Sequence, residues 1–380
     1  MHILSLFSTD ILGGIASHIV GLAKRLTERG HKITLMTRGY WRGKREFNYE
    51  GFRVIKVPFY PLYPFHVYFH GYFVRKAIES LSPQPDLIHL HSPLVPPIPK
   101  KWPIVTTFHS PMLLGTANVE SFGLQTFLIK LMGRTTSYQI ERKLLEISDA
   151  IITVSQGVAD ELRTYYGFTG NHIYPISNII DTAFYKPPSQ PPKERKLLYI
   201  GRLCYGKGLF ELAKSAKLVI KKYPDVKYTL IGAGPLEKKL RETVNKLGLD
   251  TNFELCGEVR DKFEIVKHYQ QAYAVLIPSY YESGPIVLLE AISCGKPVIT
   301  TPTGLAKDMI KDGYNALLIN PKSTEQLANA TLRLLSSEGL CRRLGKSARK
   351  TAVEKMNPET NTDQVEEVYG RATERWRQTR

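Results

Sequence analysis

Cysteine is scarce in this 380-residue chain: Cys204, Cys256, Cys294 and Cys341 are the only four, and none has C-x-x-C spacing. That suggests neither a disulfide framework nor a zinc ribbon, and a reducing interior is the simplest compartment. Long apolar runs are missing as well. No stretch approaches the roughly 20 residues of a membrane-spanning helix. The N-terminus lacks basic residues ahead of its short apolar run, which Asp10 interrupts, so it does not read as a signal segment. No repeat of solenoid period occurs, and no RNP-like, helix-turn-helix or zinc pattern accompanies the charge, which argues against nucleic acid as partner. The expectation is a soluble or peripheral protein, cytoplasmic or on the cytoplasmic face of a membrane.

What is present is an alternation of strand-like and helical runs. Residues 1–6 read as a strand, 16–28 as a helix and 32–36 as a strand, which is βαβ construction. Further strands are expected at 87–90, 104–107, 150–154, 196–200, 227–231 and 274–278. The length suits two domains, each with its own core. The proline-rich residues 186–193 read as an extended boundary segment. We therefore expect a first domain over 1–182 and a second over 183–359, with a polar helix at about 360–380 crossing back onto the first.

Charge is unbalanced, with 52 Lys and Arg against 35 Asp and Glu, a formal net of +17. The excess is spread over both halves. One local cluster, Arg38 to Arg45, precedes residues 59–73, where eight of fifteen side chains are Phe or Tyr. Basic residues beside aromatics suit an anionic membrane surface or a lipid-linked acceptor. The plainer alternative is that these aromatics pack a helix against its sheet.

The chemistry concentrates in the second half. The apolar run at 274–278 is followed by Tyr281-Glu282-Ser283-Gly284-Pro285-Ile286-Val287-Leu288-Leu289-Glu290. Pro285 fits a first helical position with Ser283 as N-cap, and Cys294-Gly295 ends the helix. Backbone N–H groups of Gly284, Ile286 and Val287 would then meet a diphosphate at the strand's carboxyl end. Glu282, ahead of the helix, reaches a sugar hydroxyl, while Glu290, inside it, accepts from ribose hydroxyls. The loop Gly201-Arg202-Leu203-Cys204-Tyr205-Gly206-Lys207-Gly208 follows another strand and places two cations where a leaving diphosphate needs neutralising. Gly232-Ala233-Gly234-Pro235 follows a third strand and lets backbone approach a ligand. Taken singly, each is an ordinary surface loop; together they mark the crevice of an open α/β sheet.

These residues resemble the GT4 family of retaining glycosyltransferases. The resemblance runs from Gly13-Gly14 through Thr107-Phe108-His109 and Thr153-Val154-Ser155 to Asn178 and Asp181, and is densest in the C-terminal half. It implies an α/β chain with the GT-B fold, two Rossmann-like domains with parallel sheets facing across a cleft. It also implies that Arg202 and Lys207 hold the diphosphate, Glu282 contacts the transferred sugar and Glu290 binds ribose. Gly257-Glu258-Val259 would meet the base, and Gly13-Gly14 the phosphates from the other domain. Two departures stand out: Ser283 precedes Gly284 where the family often has Phe, and Gly304-Leu305-Ala306-Lys307-Asp308 replaces a Gly-Gly-x-x-Glu pattern.

Histidines offer a competing story, because His89-x-His91, His109 and His66-x3-His70 have ligand-like spacing. No acidic or Cys partner is marked by spacing, so no metal site is expected. Alone, His109 reads as a structural residue; the resemblance makes it the candidate of the first domain to face the reacting sugar.

The expected reaction is transfer of a hexosyl group from a nucleoside diphosphate sugar to an acceptor hydroxyl, with retention and without a metal or other cofactor. Asp261 can pair with guanine, tilting the donor toward a GDP-sugar over a UDP-sugar, or it can cap the helix that follows. The alternatives are a nucleotide-sugar epimerase on the same scaffold and a non-catalytic basic protein that binds membrane or nucleic acid.

Overall fold

The structure, a computed structural model of the full chain, describes residues 1–7, 14–39, 45–62, 65–117, 124–178 and 180–379. Gly13, residues 40–44 of the basic cluster and residues 63–64 of the aromatic segment lie outside the described residues. In chain order the elements begin β1 (His2–Phe7), α1 (Gly14–Glu28), β2 (Lys32–Gly39), β3 (Glu46–Tyr49), β4 (Phe52–Pro58), α2 (His66–Glu79), β5 (Leu87–Ser92) and β6 (Ile104–Phe108). They continue α3 (Met112–Ala117), α4 (Leu124–Arg134), α5 (Thr136–Ile147), β7 (Ala150–Thr153), α6 (Gln156–Tyr166) and β8 (Ile173–Pro175). Then come β9 (Lys196–Ile200), α7 (Leu209–Ile220), β10 (Lys227–Ile231), α8 (Glu237–Leu247), β11 (Phe253–Gly257), α9 (Lys262–Gln271), β12 (Ala274–Ile277) and α10 (Ile286–Ser293). The last are β13 (Val298–Thr300), α11 (Leu305–Met309), β14 (Leu317–Leu318), α12 (Thr324–Leu335), α13 (Glu338–Lys355) and α14 (Pro358–Gln378).

Two compact units result: unit 1 comprises Met1–Ala117, Phe122–Ile179 and Pro358–Arg380, and unit 2 comprises Ile180–Asn357. Unit 1 holds an eight-stranded sheet in the order β3-β4-β2-β1-β5-β6-β7-β8, parallel except for the β3–β4 pair. Successive side chains of a strand point to opposite faces, and both faces here are covered. Ile3, Leu35, Leu87, Val105 and Ile152 pack with α1 and with Val365, Val368, Tyr369 and Ala372 of α14. Leu4, Leu6, Ile88, Leu90, Ile104 and Ile151 pack on the other side with residues of α2, α5 and α6. This double burial explains why the strands read as near-continuous apolar runs. Arg29 adds salt bridges to Glu359, Asp363 and Glu366, at 2.6, 2.6 and 2.5 Å.

Unit 2 holds a six-stranded parallel sheet in the order β11-β10-β9-β12-β13-β14. Counted along the chain that order is 3-2-1-4-5-6, so the direction of winding reverses between β9 and β12. The proline-rich residues 186–193 carry no helix or strand and are mostly exposed, and they fall within unit 2. Gln270 donates to the carbonyl of Lys186 at 3.1 Å, and Pro187 lies against Gly295, both within unit 2.

The aromatic segment divides unexpectedly. The inward face of α2 is His66, Val67, His70, Gly71, Val74 and Ile78, while Phe65, Tyr68, Phe69 and Tyr72 are about half exposed. The packing alternative therefore fails for these four rings, while Phe73 is partly buried against the core.

Tyr369 is fully buried in α14 and its hydroxyl lies 2.8 Å from His89 Nδ1. Tyr369→Ala is expected to destabilise unit 1 by about 3–5 kcal/mol and Tyr369→Phe by about 1 kcal/mol. Equilibrium denaturation of the variants measures both, and near-equal losses would contradict the packing described.

Candidate functional site

At the winding reversal of unit 2, the loops leaving β9 and β12 start side by side and turn toward opposite faces of the sheet. They are joined by backbone: the N–H of Tyr280 donates to the carbonyl of Gly206 at 2.7 Å. Gly208 has φ +67°, and a Cβ there would overlap the carbonyl oxygen of Pro278. Only glycine adopts that conformation readily and leaves room for the approach. Lys207 and Glu282 are thereby brought together, with Nζ 2.5 Å from Oε1. Burial alone would depress the lysine, but the Glu282 charge and hydrogen bond win and raise its pKa.

Glu282 has further support. Ser279 Oγ donates to the same Oε1 at 2.7 Å, and the Ser279 carbonyl accepts from Thr301 Oγ1 at 2.6 Å. A Cβ at Gly304, φ +48°, would overlap the carbonyl of Glu282, so the loop after β13 presses directly on this segment. Tyr280 donates to Glu211 of α7 at 2.5 Å, bracing the loop from the far side. Sequence reasoning missed Ser279, Thr301 and Glu211, since none stands at a motif position; Ser279's place three residues before Glu282 was the available signal.

Other expected residues fall around this pair. Arg202 is exposed at the start of the same loop as Lys207. Gly284 and Pro285 follow Glu282, but the helix starts later than expected. Pro285 is its N-cap, with ψ 108°, and Ile286 its first residue; no side chain caps it, so Ser283 is not the cap. The proline's extended ψ keeps it outside the helix. Glu290 lies one turn in, where Tyr269 donates to it at 2.8 Å and Tyr185 also hydrogen-bonds it. Burial raises its pKa against the opposing effect of those hydroxyls and of Lys262.

Gly232 and Gly234 serve neighbouring backbone here. Their Cβ positions are filled by the carbonyls of Gly201 and Leu203, and the N–H of Leu203 donates to the carbonyl of Ala233 at 3.0 Å. The glycines stitch the β10 loop to the β9 loop. Val259 is half-buried against the core, and Asp261 caps α9, its Oδ1 accepting from the N–H of Phe263 at 2.9 Å. The cap is one of the two readings of Asp261, and it engages Oδ1.

In unit 1, Gly14 opens α1, and the histidines converge at the carboxyl ends of the central strands. His91 Nδ1 lies 3.1 Å from His109 Nε2, and His91 Nε2 lies 3.0 Å from Ser5 Oγ. His89 is held between Thr107 Oγ1 at 2.7 Å and Tyr369. The His18 ring meets His109 edge-on, centroids 5.4 Å apart. Desolvation lowers all four pKa values, His18 to about 4 and His89 to about 3, so the cluster is neutral at physiological pH.

Residues 181–351 match the family described as Glycosyl transferases group 1, and residues 12–184 match Glycosyltransferase Family 4. An uncharacterized glycosyltransferase of Methanocaldococcus jannaschii is 25% identical over 388 residues, covering 96% of each chain. A glycogen synthase of Mycobacterium tuberculosis is 24% identical over 383 residues, covering 94% of this chain and 91% of that one. Sucrose-phosphate synthase from Thermosynechococcus elongatus superposes with a TM-score of 0.82 at 20% identity, over 97% of this chain and 98% of that one. The shared architecture is the GT-B fold. Both family descriptions name transferases, which sets aside the epimerase and the non-catalytic readings.

Gly208→Ala is expected to cost unit 2 clearly more than Gly248→Ala. Both have positive φ, but Gly248 has nothing within 4 Å of its Cβ position. The Gly248 change carries backbone strain alone, about 1 kcal/mol. Denaturation midpoints compare the two; equal losses would show that the Pro278 contact is not tight.

Proposed function

Because this chain is a GT4-like glycosyltransferase, we propose that it moves a hexosyl group from a nucleoside diphosphate sugar to an acceptor hydroxyl, with retention at the anomeric carbon. The Lys207–Glu282 contact at the winding reversal carries this reading. A cation and a carboxylate side by side at the carboxyl ends of β9 and β12 suit the two ends of such a donor: diphosphate and sugar. Arg202 and Lys207 stabilise the departing diphosphate electrostatically, helped by the uncapped start of α10. These protein cations take the part a metal plays elsewhere.

Retention leaves two routes open, and the engagement of Glu282 bears on the choice between them. A double displacement needs a carboxylate poised as nucleophile, whereas Oε1 of Glu282 already receives Lys207 and Ser279. We therefore favour a front-face route. The bond from the anomeric carbon to the diphosphate breaks, the acceptor oxygen bonds on the same face, and a leaving phosphate oxygen takes the acceptor's proton. Glu290 is assigned to the ribose and His109 of unit 1 to the reacting sugar.

The acceptor is assigned to an anionic membrane surface, lipid-linked or at headgroup level. Leu62, Phe65, Tyr68, Phe69 and Tyr72 are 47–58% exposed, with exposed Arg75 and Lys76 on the same helix. On α4, Phe127, Leu128 and Leu131 are exposed as well. Such apolar rings beside cations match a headgroup boundary. No helix among the described residues is long and apolar enough to cross a membrane.

In a thermal-shift screen of UDP-, GDP- and ADP-sugars, the true donor raises the melting temperature, because ligand at 100 times its Kd stabilises by about 2.7 kcal/mol. Lys207→Ala is expected to lose that shift and about 100-fold or more in turnover, far beyond its effect on folding. Wild-type turnover in the purified variant would sink the assignment. Glu282→Ala is expected to keep nucleotide binding and lose transfer.

In co-sedimentation at low salt, the protein is expected to pellet with anionic vesicles and not with neutral ones, and a Phe65→Ser, Phe69→Ser variant to remain in solution. Absence of wild-type binding removes the membrane assignment.

A further inference from the structure

We propose that Glu141 is a positioning residue for transfer: from α5, its carboxylate ties the carboxyl end of β5, which carries His91, to the turn after β6, which carries His109. The proposal rests on the reading that His109 faces the reacting sugar. Glu141 is 1% exposed, and its two oxygens each lie 3.1 Å from the N–H of Met112, three residues after His109. Ser92, the neighbour of His91, donates to Oε1 at 3.3 Å, and the Tyr166 hydroxyl donates to Oε2 at 2.5 Å. The Tyr166 oxygen in turn accepts from the N–H of Leu113 at 3.3 Å. The two segments are also joined directly, the N–H of His109 donating to the carbonyl of Ser92 at 3.4 Å. A shift of the carboxylate therefore moves both ends of the His91–His109 contact.

Among the described residues, no cation hydrogen-bonds or pairs with this carboxylate. The ionisable groups facing it, Tyr166 and the buried Glu161, both come from α6; α3 and β5 contribute the Met112 N–H and the Ser92 hydroxyl. Burial drives its pKa up to about 7, against the hydrogen bonds from Tyr166, Met112 and Ser92 that favour the charged form. The folded state thus binds a proton between about pH 4.5 and 7 that the unfolded chain has released. This group's contribution to stability therefore falls as pH rises through that window and is level above it. At neutral pH the carboxylate is near its midpoint, so the hydrogen bonds setting the His109 turn change with protonation.

The test measures nucleoside diphosphate release by the full chain from whichever UDP-, GDP- or ADP-sugar the wild type consumes, from pH 5.5 to 8.5. Glu141→Gln keeps the shape and cannot ionise. It is expected to unfold cooperatively, to lose about tenfold or more in kcat, since small misplacements at a reacting centre are costly, with donor KM within about twofold. It should also lose the wild-type inflection near pH 7. Tyr166→Phe removes one donor to the carboxylate and provides the second arm should Glu141→Gln not fold; it is expected to lower kcat about threefold or more and to displace the inflection. Wild-type kcat and pH profile in the folded variants, even with a changed melting temperature, reduce Glu141 to a helix cap and overturn the proposal. A wild-type chain that consumes none of the donors overturns the proposed transfer from a nucleoside diphosphate sugar, and the proposal falls with it.

Discussion

The approach of the β9 and β12 loops is the constraint on which unit 2 depends. In a parallel sheet wound outward from β9 in both directions, the first connection goes to β10 and a later one returns to β12. The two loops therefore diverge over opposite faces and open a crevice at the strand ends. Here the crevice is drawn tight at its base by the Tyr280–Gly206 backbone bond and by the room that Gly208 leaves for Pro278. The Lys207–Glu282 pair is a consequence of that approach. Neither residue reaches the other from its own loop alone; topology supplies the proximity and glycine the clearance.

Unit 1 builds the same kind of sheet end with opposite electrostatics. Its winding reverses between β1 and β5, and the contact across that point is Ser5 to His91, both neutral. A histidine cluster this buried stays uncharged because four cations in one desolvated space would repel each other as well as lose their hydration. The two units thus present different chemistry from equivalent places in the fold: an ion pair in unit 2, and hydrogen-bonding groups without net charge in unit 1.

Much of this was legible in the sequence. Strands such as β9 and β10 begin and end where their apolar runs do, because parallel strands covered on both faces need little else to specify them. Helix starts were less legible: Pro285 fits either the first helical position or the cap, and only its ψ of 108° decides. On α2 the rule that aromatics face inward failed, since the inward stripe is spaced by histidines and valines and the rings fill the complementary positions. The partners of Glu290 and Glu141 were invisible for a different reason. Tyr269 and Tyr166 come from distant elements, and a hydroxyl leaves no periodic trace in the sequence.

Those hidden partners separate the acidic residues into two kinds. Glu282 meets an ammonium group, so its charge is compensated locally even where it is partly buried. Glu290 and Glu141 are held chiefly by phenol and backbone donors, which satisfy lone pairs but supply no opposite charge, and burial raises both pKa values. A carboxylate of that second kind can bind a further hydroxyl as acceptor or hold a turn, but retaining its charge is costly. A carboxylate that contacts the transferred sugar beside a departing diphosphate suits the first kind, since a neighbouring cation offsets its charge next to that of the phosphate. The pairing of Lys207 with Glu282 keeps the lysine charged at the strand ends before any donor arrives.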